Sequence, residues 1–409
     1  MSDSTLTAEV VMDTFNSSEF LLAPNEFLAR MRREMPLIYI PETQSWMAFR
    51  YDDVQRILTD FNTFSSKVKF PAEQKDFTQS MNFIDPPRHK SVRALAQQSF
   101  TLKRVEAMGP RIEALAEELL GKALEQPNFD FILEYANPLP VIVIAEIMGV
   151  PTEGHEHFTD LSNRVVTMDQ GAIAEMAAYF RTLIEDRKQN PGDDLVTSLV
   201  QAYEQDNDRL SEQELVDFCI VLLVAGNETT AKLIGNSMLC LRDFPEIRAE
   251  LIAHPEKIGD FIEEVLRLRS PVQNIIRIVK VQTELHGQTM RVGDTVEVFM
   301  GSANLDEAQF EDPLQLKFGR KGRHLAFGNG IHFCLGAPLA RLEAVIAIRH
   351  IKLFTVEQFI LQKHYRVRVT NCCFEQTFRI GCVIRRNDFH ARNMRVPACI
   401  ALRMLRSYP

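Results

Sequence analysis

Several features that would direct a first reading elsewhere are missing. No apolar run is long enough to cross a bilayer. The most tempting, Phe218 to Ala225, is eight residues long, against the roughly 20 a membrane helix needs. The opening residues MSDSTLTAEVVMD lack a basic segment followed by an apolar one, so no secretory leader is expected. No Gly/Ser-rich or Pro-rich stretch divides the chain, which predicts one domain over residues 1–409. Excess positive charge is also missing: the formal net charge is -9, which argues against nucleic acid as a partner. The seven cysteines are few and scattered, with no C-x-x-C-H element. A cytoplasmic protein with reduced thiols follows.

What is present is mostly helical pattern. SWMAFRYDDV, from Ser45 to Val54, reads as a strand turning into a helix. Phe64 to Met81 has no period and reads as a long loop of the functional kind. DPPRHKSVRALAQQSF opens a helix behind its prolines. Further helices are expected over Leu102–Glu125, Glu153–Val166, Gly171–Arg187 and Pro255–Leu268. Ser211 to Phe244 is the longest candidate, with Ser211 and Glu214 set for a capping box and Pro245 beyond its end. It would run roughly 51 Å through a core. TELHGQTMRVGDTVEVFM supplies short strands with glycines at the turns. Pro338 opens a last helix to about His350.

Four constellations carry chemistry. FGNGIHFCLG, residues 327–336, sets Cys334 among three glycines. Structural zinc and iron–sulfur clusters need several close thiolates, and Cys334 stands alone beside His332. Two readings remain: a structural cysteine beside a glycine turn, or a single axial thiolate on haem. The second uses the glycines, which let backbone approach a flat group, with Phe327 packing on the loop. AGNETT, residues 225–230, breaks the apolar face of the long helix. Ala225 and Gly226 leave room beside it. Glu228 and Thr229 place a carboxylate next to a hydroxyl, suited to moving protons, and Thr229 can compete for a backbone carbonyl. An ordinary polar patch is the plainer reading. Glu264 and Arg267 share a helix face, which alone suggests a surface ion pair. His89 and Arg93, with Arg88 and Lys90 nearby, form either a solvated basic face or a grip for carboxylates. Arg277 carries the same two readings.

Together these segments resemble the cytochrome P450 family, the haem-thiolate monooxygenases. The likeness is to the soluble bacterial class, and within it to the Bacillus-type members that oxidise fatty acids, terpenoids and steroids. It spans about residues 15–348 and rests on FGNGIHFCLG, AGNETT, the Glu264-x-x-Arg267 pair, HLAFG, HFCLGAPLARLE and DPPRHKSVR in order. The resemblance implies a mainly α triangular prism with a small β-rich region, and haem b as cofactor. Cys334 would be the iron ligand. His89, Arg93, Arg277 and His332 would hold the haem propionates, and Ala225, Phe327, Gly328 and Gly336 would lie against the haem. Glu228 and Thr229 would deliver protons, and Glu264 with Arg267 would be a buried pair. Leu222, Leu223, Ala225, Ile275 and Ile276 would give the pocket an apolar lining. Electrons would come from NAD(P)H through a separate reductase and a ferredoxin or flavodoxin, into a monomer without a membrane span. Rival readings are a peroxide-driven enzyme, against which Glu228 and Thr229 stand, and a haem- or ligand-binding protein without turnover.

The end of the chain departs from that pattern. From Ala344 onward there are 12 Lys/Arg against 3 Asp/Glu, and four of the seven cysteines: Cys372, Cys373, Cys382 and Cys399. Their spacing, with His364 and His390, fits no closed tetrahedral zinc set. RHIKLFTVEQF lacks the family's proline, whereas HYRVRVTNCCFEQTF keeps the look of its strand hairpin, with Phe374 or Phe378 placed to reach the pocket. Residues 351–409 form an atypical basic, cysteine-rich tail.

Overall fold

A computed structural model of the chain describes residues 6–17, 20, 23–68, 80–126, 128–167, 169–205, 211–351, 365–369, 376–380, 383–386 and 400–403. The chain groups into two compact units. One comprises residues 1–69, 263–334 and 365–379, and the other residues 70–262, 335–364 and 380–409.

The first unit is built on a five-stranded sheet. Its strands are β1 (Leu37–Ile40), β2 (Ser45–Ala48), β3 (Phe64–Ser65), β4 (Ile275–Val279) and β5 (Thr295–Val298), in the order β1-β2-β5-β4-β3. β2 runs parallel to β5 with Trp46 beside Val296, and β4 runs antiparallel to β5 with Arg277 beside Val296. Alternation puts β2 side chains into two different cores. Trp46 and Ala48 join Val279, Val296 and Val298 against Val54 and Leu58 of the helix Tyr51–Thr59. Met47 joins Ile38 and Ile40 against a group of phenylalanines, Phe15, Phe20, Phe27, Phe49 and Phe299. The sheet is therefore apolar on both faces. A two-residue turn, His286–Gly287, with φ of 51° and 71°, closes the hairpin Thr283–Met290, as the twist of paired strands favours.

The second unit is helical. Its axis is the 32-residue helix Glu212–Asp243, which packs against Pro138–Met148, His155–Val166, Gln170–Gln189 and Ala337–His350. Both halves of its capping box form: Ser211 Oγ accepts from the Glu214 amide, and Glu214 Oε2 accepts from the Ser211 amide at 2.6 Å. Among the described residues this helix alone is long and apolar enough to cross a membrane, contrary to expectation, yet 56% of its most apolar window is buried inside the protein. That is the mark of a core helix. A small sheet pairs Asn128–Asp130 with Val383–Arg386, and that strand with Ile400–Arg403.

Several expected boundaries shift. Leu102–Glu125 is two helices, Leu102–Ala107 and Gly109–Leu124, because Gly109–Pro110 restarts the helix with proline in its first turn. Glu153–Val166 and Pro255–Leu268 each begin as a 3₁₀ turn before the α-helix at His155 and Ile258. The helix expected over Gly171–Arg187 runs Gln170–Gln189, capped by Asp169 Oδ1 on the Ala172 amide. Of the loop Phe64–Met81, residues 69–79 lie outside the described residues, and Phe64–Ser65 is strand rather than loop. The tail shows Tyr365–Val369 and Gln376–Ile380 paired in a two-stranded sheet, as a hairpin would be. Its four cysteines, His364, His390 and Phe374 lie outside the described residues, as does the side chain of Phe378.

Candidate haem-thiolate site

In the first unit, the Cys334 loop is a compact knot. The Cys334 amide donates to the Phe327 carbonyl at 2.9 Å, and the Gly328 amide donates to the Leu325 carbonyl at 2.8 Å. Gly328 and Gly330 have φ of 70° and 71°, left-handed values that glycine reaches without strain. A Cβ on Gly330 would sit 2.8 Å from the Leu58 carbonyl oxygen. The glycines also have reasons within the chain itself. Gly330 is required by packing on the helix Tyr51–Thr59, and Gly328 by the turn itself. Only Gly336, at the start of Ala337–His350, has nothing within 4 Å of an added Cβ. Phe333 lies at the edge of the Phe327 ring, centroids 6.3 Å apart, and the Arg323 guanidinium covers the Phe333 ring at 4.7 Å. The Cys334 thiol is half-buried.

Behind the loop, Glu264 and Arg267 are buried, as the family resemblance implies and the isolated pair did not. Arg267 donates to both Glu264 oxygens at 2.8 and 3.0 Å, and to the carbonyls of Asn304, Pro313 and Gln315. Glu264 Oε2 also accepts from Arg320 at 2.9 Å and from the Lys317 amide at 3.0 Å. Burial on its own would raise the Glu264 carboxyl. Arg267, the Lys317 amide and Arg320 outweigh it and hold the group below its ordinary value. Sequence reading missed Arg320, because in GRKGR it looks like any exposed cation. Arg277 is buried on β4 and donates to the Ile276 carbonyl at 2.8 Å.

In the second unit, the helix Arg88–Ser99 resolves the basic cluster residue by residue. Arg88 grips both oxygens of Glu214 at 2.7 and 2.8 Å, so the helix is tied to the capping box of the long helix. Lys90 is exposed, and Arg93 is half-buried. His89 is buried, and its imidazole is pushed down to about 4 by that burial first and by Arg93 second, with Asp85 opposing. It is neutral near pH 7.

Along the long helix, Asn227 is buried and donates to Ser162 Oγ at 2.9 Å. Glu228 Oε1 pairs with Lys232 Nζ at 2.8 Å. Thr229 Oγ1 donates to the Ala225 carbonyl at 2.7 Å. The competition for a carbonyl is therefore present, but the helix runs through it unbroken. Glu228 and Thr229 are each engaged one turn away, in opposite directions along the axis. Leu222, Gly226 and Thr229 are half-buried and Ala225 is exposed, so this stripe of a core helix is partly open. Leu223, expected to line a pocket, is instead fully buried: at 100° per residue it turns off the Leu222–Ala225–Thr229 face. Ile275 packs on the first unit's core.

Among the described residues no three His, Cys, Asp or Glu side chains converge as a metal site would require. What remains is a lone thiol on a glycine-turn loop, a buried Glu–Arg–Arg network behind it, and a Gly-Asn-Glu-Thr turn in the longest helix. These parts, in a mainly α chain with a small β region, define the cytochrome P450 fold. The chain belongs to the cytochrome P450 family, whose profile matches residues 155–359. Cytochrome P450 109 of Bacillus spizizenii is 39% identical over 355 residues, covering 83% of this chain and 86% of that one. The crystal structure of CYP109E1 from Bacillus megaterium in complex with testosterone superposes with a TM-score of 0.82 at 37% identity, over 91% of this chain and 100% of that one. The same enzyme in complex with corticosterone gives 0.80 at 37%, over 90% and 99%.

Membership implies haem b, and the residues present fit it. Cys334 is half-buried and in no disulfide, and no group of three His, Cys, Asp or Glu gathers around it among the described residues. A Cβ on Gly336 would meet nothing within 4 Å. The small-residue stripe at Ala225 is the kind of surface a flat apolar ring covers, and neutral His89 and Arg93 are donors on one helix face.

Proposed function

We propose that the chain is a monooxygenase that hydroxylates C–H bonds of hydrophobic small molecules, with steroids foremost and fatty acids and terpenoids as further candidates. The Cys334 loop carries the proposal: a half-buried thiol on a glycine-turn loop, its amide committed to the Phe327 carbonyl, suits a single axial ligand better than a cluster or a core cysteine. Cys334 would ligate the iron. His89, Arg93, Arg277 and His332 would hold the propionates, and Ala225, Phe327, Gly328 and Gly336 would line the ring. When bound, haem supplies reduction of O2 and transfer of one oxygen atom, helped by the electron density of the thiolate. In balance, substrate, O2, two electrons and two protons give alcohol and water.

The protein's own part is proton handling and orientation. Glu228, released from Lys232 and protonated from water, would pass that proton to the Thr229 hydroxyl, which would exchange its Ala225 bond to donate toward the substrate side of the helix. Glu228 would return to its carboxylate form and pair again with Lys232. Electrons come from NAD(P)H through a reductase and a ferredoxin or flavodoxin, docked with help from exposed basic residues. Steroids lead because CYP109E1 was crystallised with testosterone and with corticosterone. The test is a spectral titration with testosterone, a long-chain fatty acid and a terpenoid, then product analysis with a ferredoxin–reductase system and with hydrogen peroxide. A spectral shift and a hydroxylated product that needs NAD(P)H support the proposal. Product from peroxide alone would replace it with a peroxide-driven enzyme. NADPH consumption without product, across all three substrates, would leave a binding protein.

A further inference from the structure

We infer that His324, held by Glu263, is a positioning residue for the thiolate loop, an inference that rests on Cys334 being the iron ligand. His324 sits three residues before Phe327, whose carbonyl takes the Cys334 amide. Its side chain is 9% exposed, and both ring nitrogens are used. Nδ1 lies 3.2 Å from the Ala326 amide, and a backbone amide can only donate. In the neutral ring Nδ1 is therefore the acceptor and Nε2 carries the proton. Nε2 then donates to Glu263 Oε2 at 3.1 Å. The carboxylate fixes the tautomer and the ring plane, the arrangement that steadies histidines in supporting shells elsewhere. The Ala326 amide, so fixed, sets the turn into Phe327 and hence the carbonyl that Cys334 leans on.

A surface ion pair is the plainer reading of Glu263–His324, since Glu263 is 42% exposed. Three observations favour a brace. The imidazole is nearly buried, and its inner nitrogen is spent on backbone rather than solvent. Its ring lies 6.1 Å from that of Phe327. The residue before it is pinned as well: the Arg323 carbonyl accepts from the Tyr51 hydroxyl at 2.5 Å, while its guanidinium covers Phe333, the neighbour of Cys334. Leu325 is held by its amide on Asn304 Oδ1 at 2.6 Å. The segment 323–327 thus faces the segment 333–334 as a rail, and His324 ties that rail through Glu263 to the helix Ile258–Leu268.

The test compares His324→Ala, Glu263→Ala and Glu263→Gln in the haem-loaded protein. The readout is the half-life of the thiolate-type ferrous–CO absorption band in mild chaotrope, with far-UV circular dichroism recorded on the same samples. His324→Ala should shorten that half-life on the order of tenfold, because a backbone donor loses its partner. Glu263→Ala should shorten it by a few-fold, and Glu263→Gln, which still accepts from Nε2, should restore it. Helix content should be unchanged while the band is lost. Half-lives equal to wild type overturn the inference. So does loss of the band in step with helix content, which marks a merely structural residue, and so does Glu263→Gln behaving as Glu263→Ala. Should the wild type show no thiolate-type band, the ligand assignment itself fails and the inference falls with it, an outcome read before any variant is made.

Discussion

Replacing Glu343 with glutamine should stabilise the protein at neutral and alkaline pH and leave it unchanged in acid. Glu343 lies on the helix Ala337–His350, is 3% exposed, and its Oε2 has no hydrogen-bond partner among the described residues. Burial alone pushes its carboxyl from 4.5 up to about 8. The folded protein therefore keeps a proton that the unfolded chain gives up. Stability is fully present below about pH 4.5 and is lost as pH rises through about 8, because the folded state binds more protons across that window. At about 1.4 kcal/mol per pH unit, the loss accumulates to about 5 kcal/mol. Glutamine matches the shape and does not titrate. Urea unfolding of both proteins at several values between about pH 5 and about pH 8 measures the difference directly. The curves should converge in acid and diverge with rising pH. Parallel curves would show that Glu343 does not hold a proton in the fold, and would refute the reasoning.

Four further outcomes follow from particular contacts. Glu264→Gln strands Arg267 and Arg320 beside a neutral partner, and should cost roughly 3–5 kcal/mol in urea unfolding. Gly330→Ala should cost roughly 1–3 kcal/mol and lower haem occupancy, since its φ is 71° and its Cβ would meet the Leu58 carbonyl. Gly336→Ala, which meets nothing in the protein, should leave unfolding unchanged, so any fall in haem content there reports contact with the ring rather than with the chain. Lys232→Met frees Glu228 from its pairing, and should change the ratio of product to NADPH consumed without altering the ferrous–CO spectrum.

The legibility of the chain follows the locality of each signal. The capping box of Glu212–Asp243 was readable because Ser211 and Glu214 are three residues apart and bond each other. The helix Pro138–Met148 was not, because PLPVIVIAEIM is apolar all round and shows no period. Glu264 and Arg267 announced a pair by their spacing, but their burial depends on Asn304, Pro313, Gln315 and Arg320, 37 to 56 residues from their partners, which no local pattern carries. The glycines of the Cys334 loop were visible as a group. Their separate reasons emerged only from what surrounds each, with Leu58 beside one and open space beside another. Lys232 and Ser162, which hold Glu228 and Asn227, are ordinary residues in sequence and gain meaning only from distance.

The most direct measurement of the central claim is the ferrous–CO difference spectrum of the haem-loaded protein beside that of Cys334→Ser. The wild type should show the band that marks thiolate ligation, and the variant should lose it while keeping its helix content. A band unchanged in Cys334→Ser, or missing from a folded and haem-loaded wild type, would contradict the account.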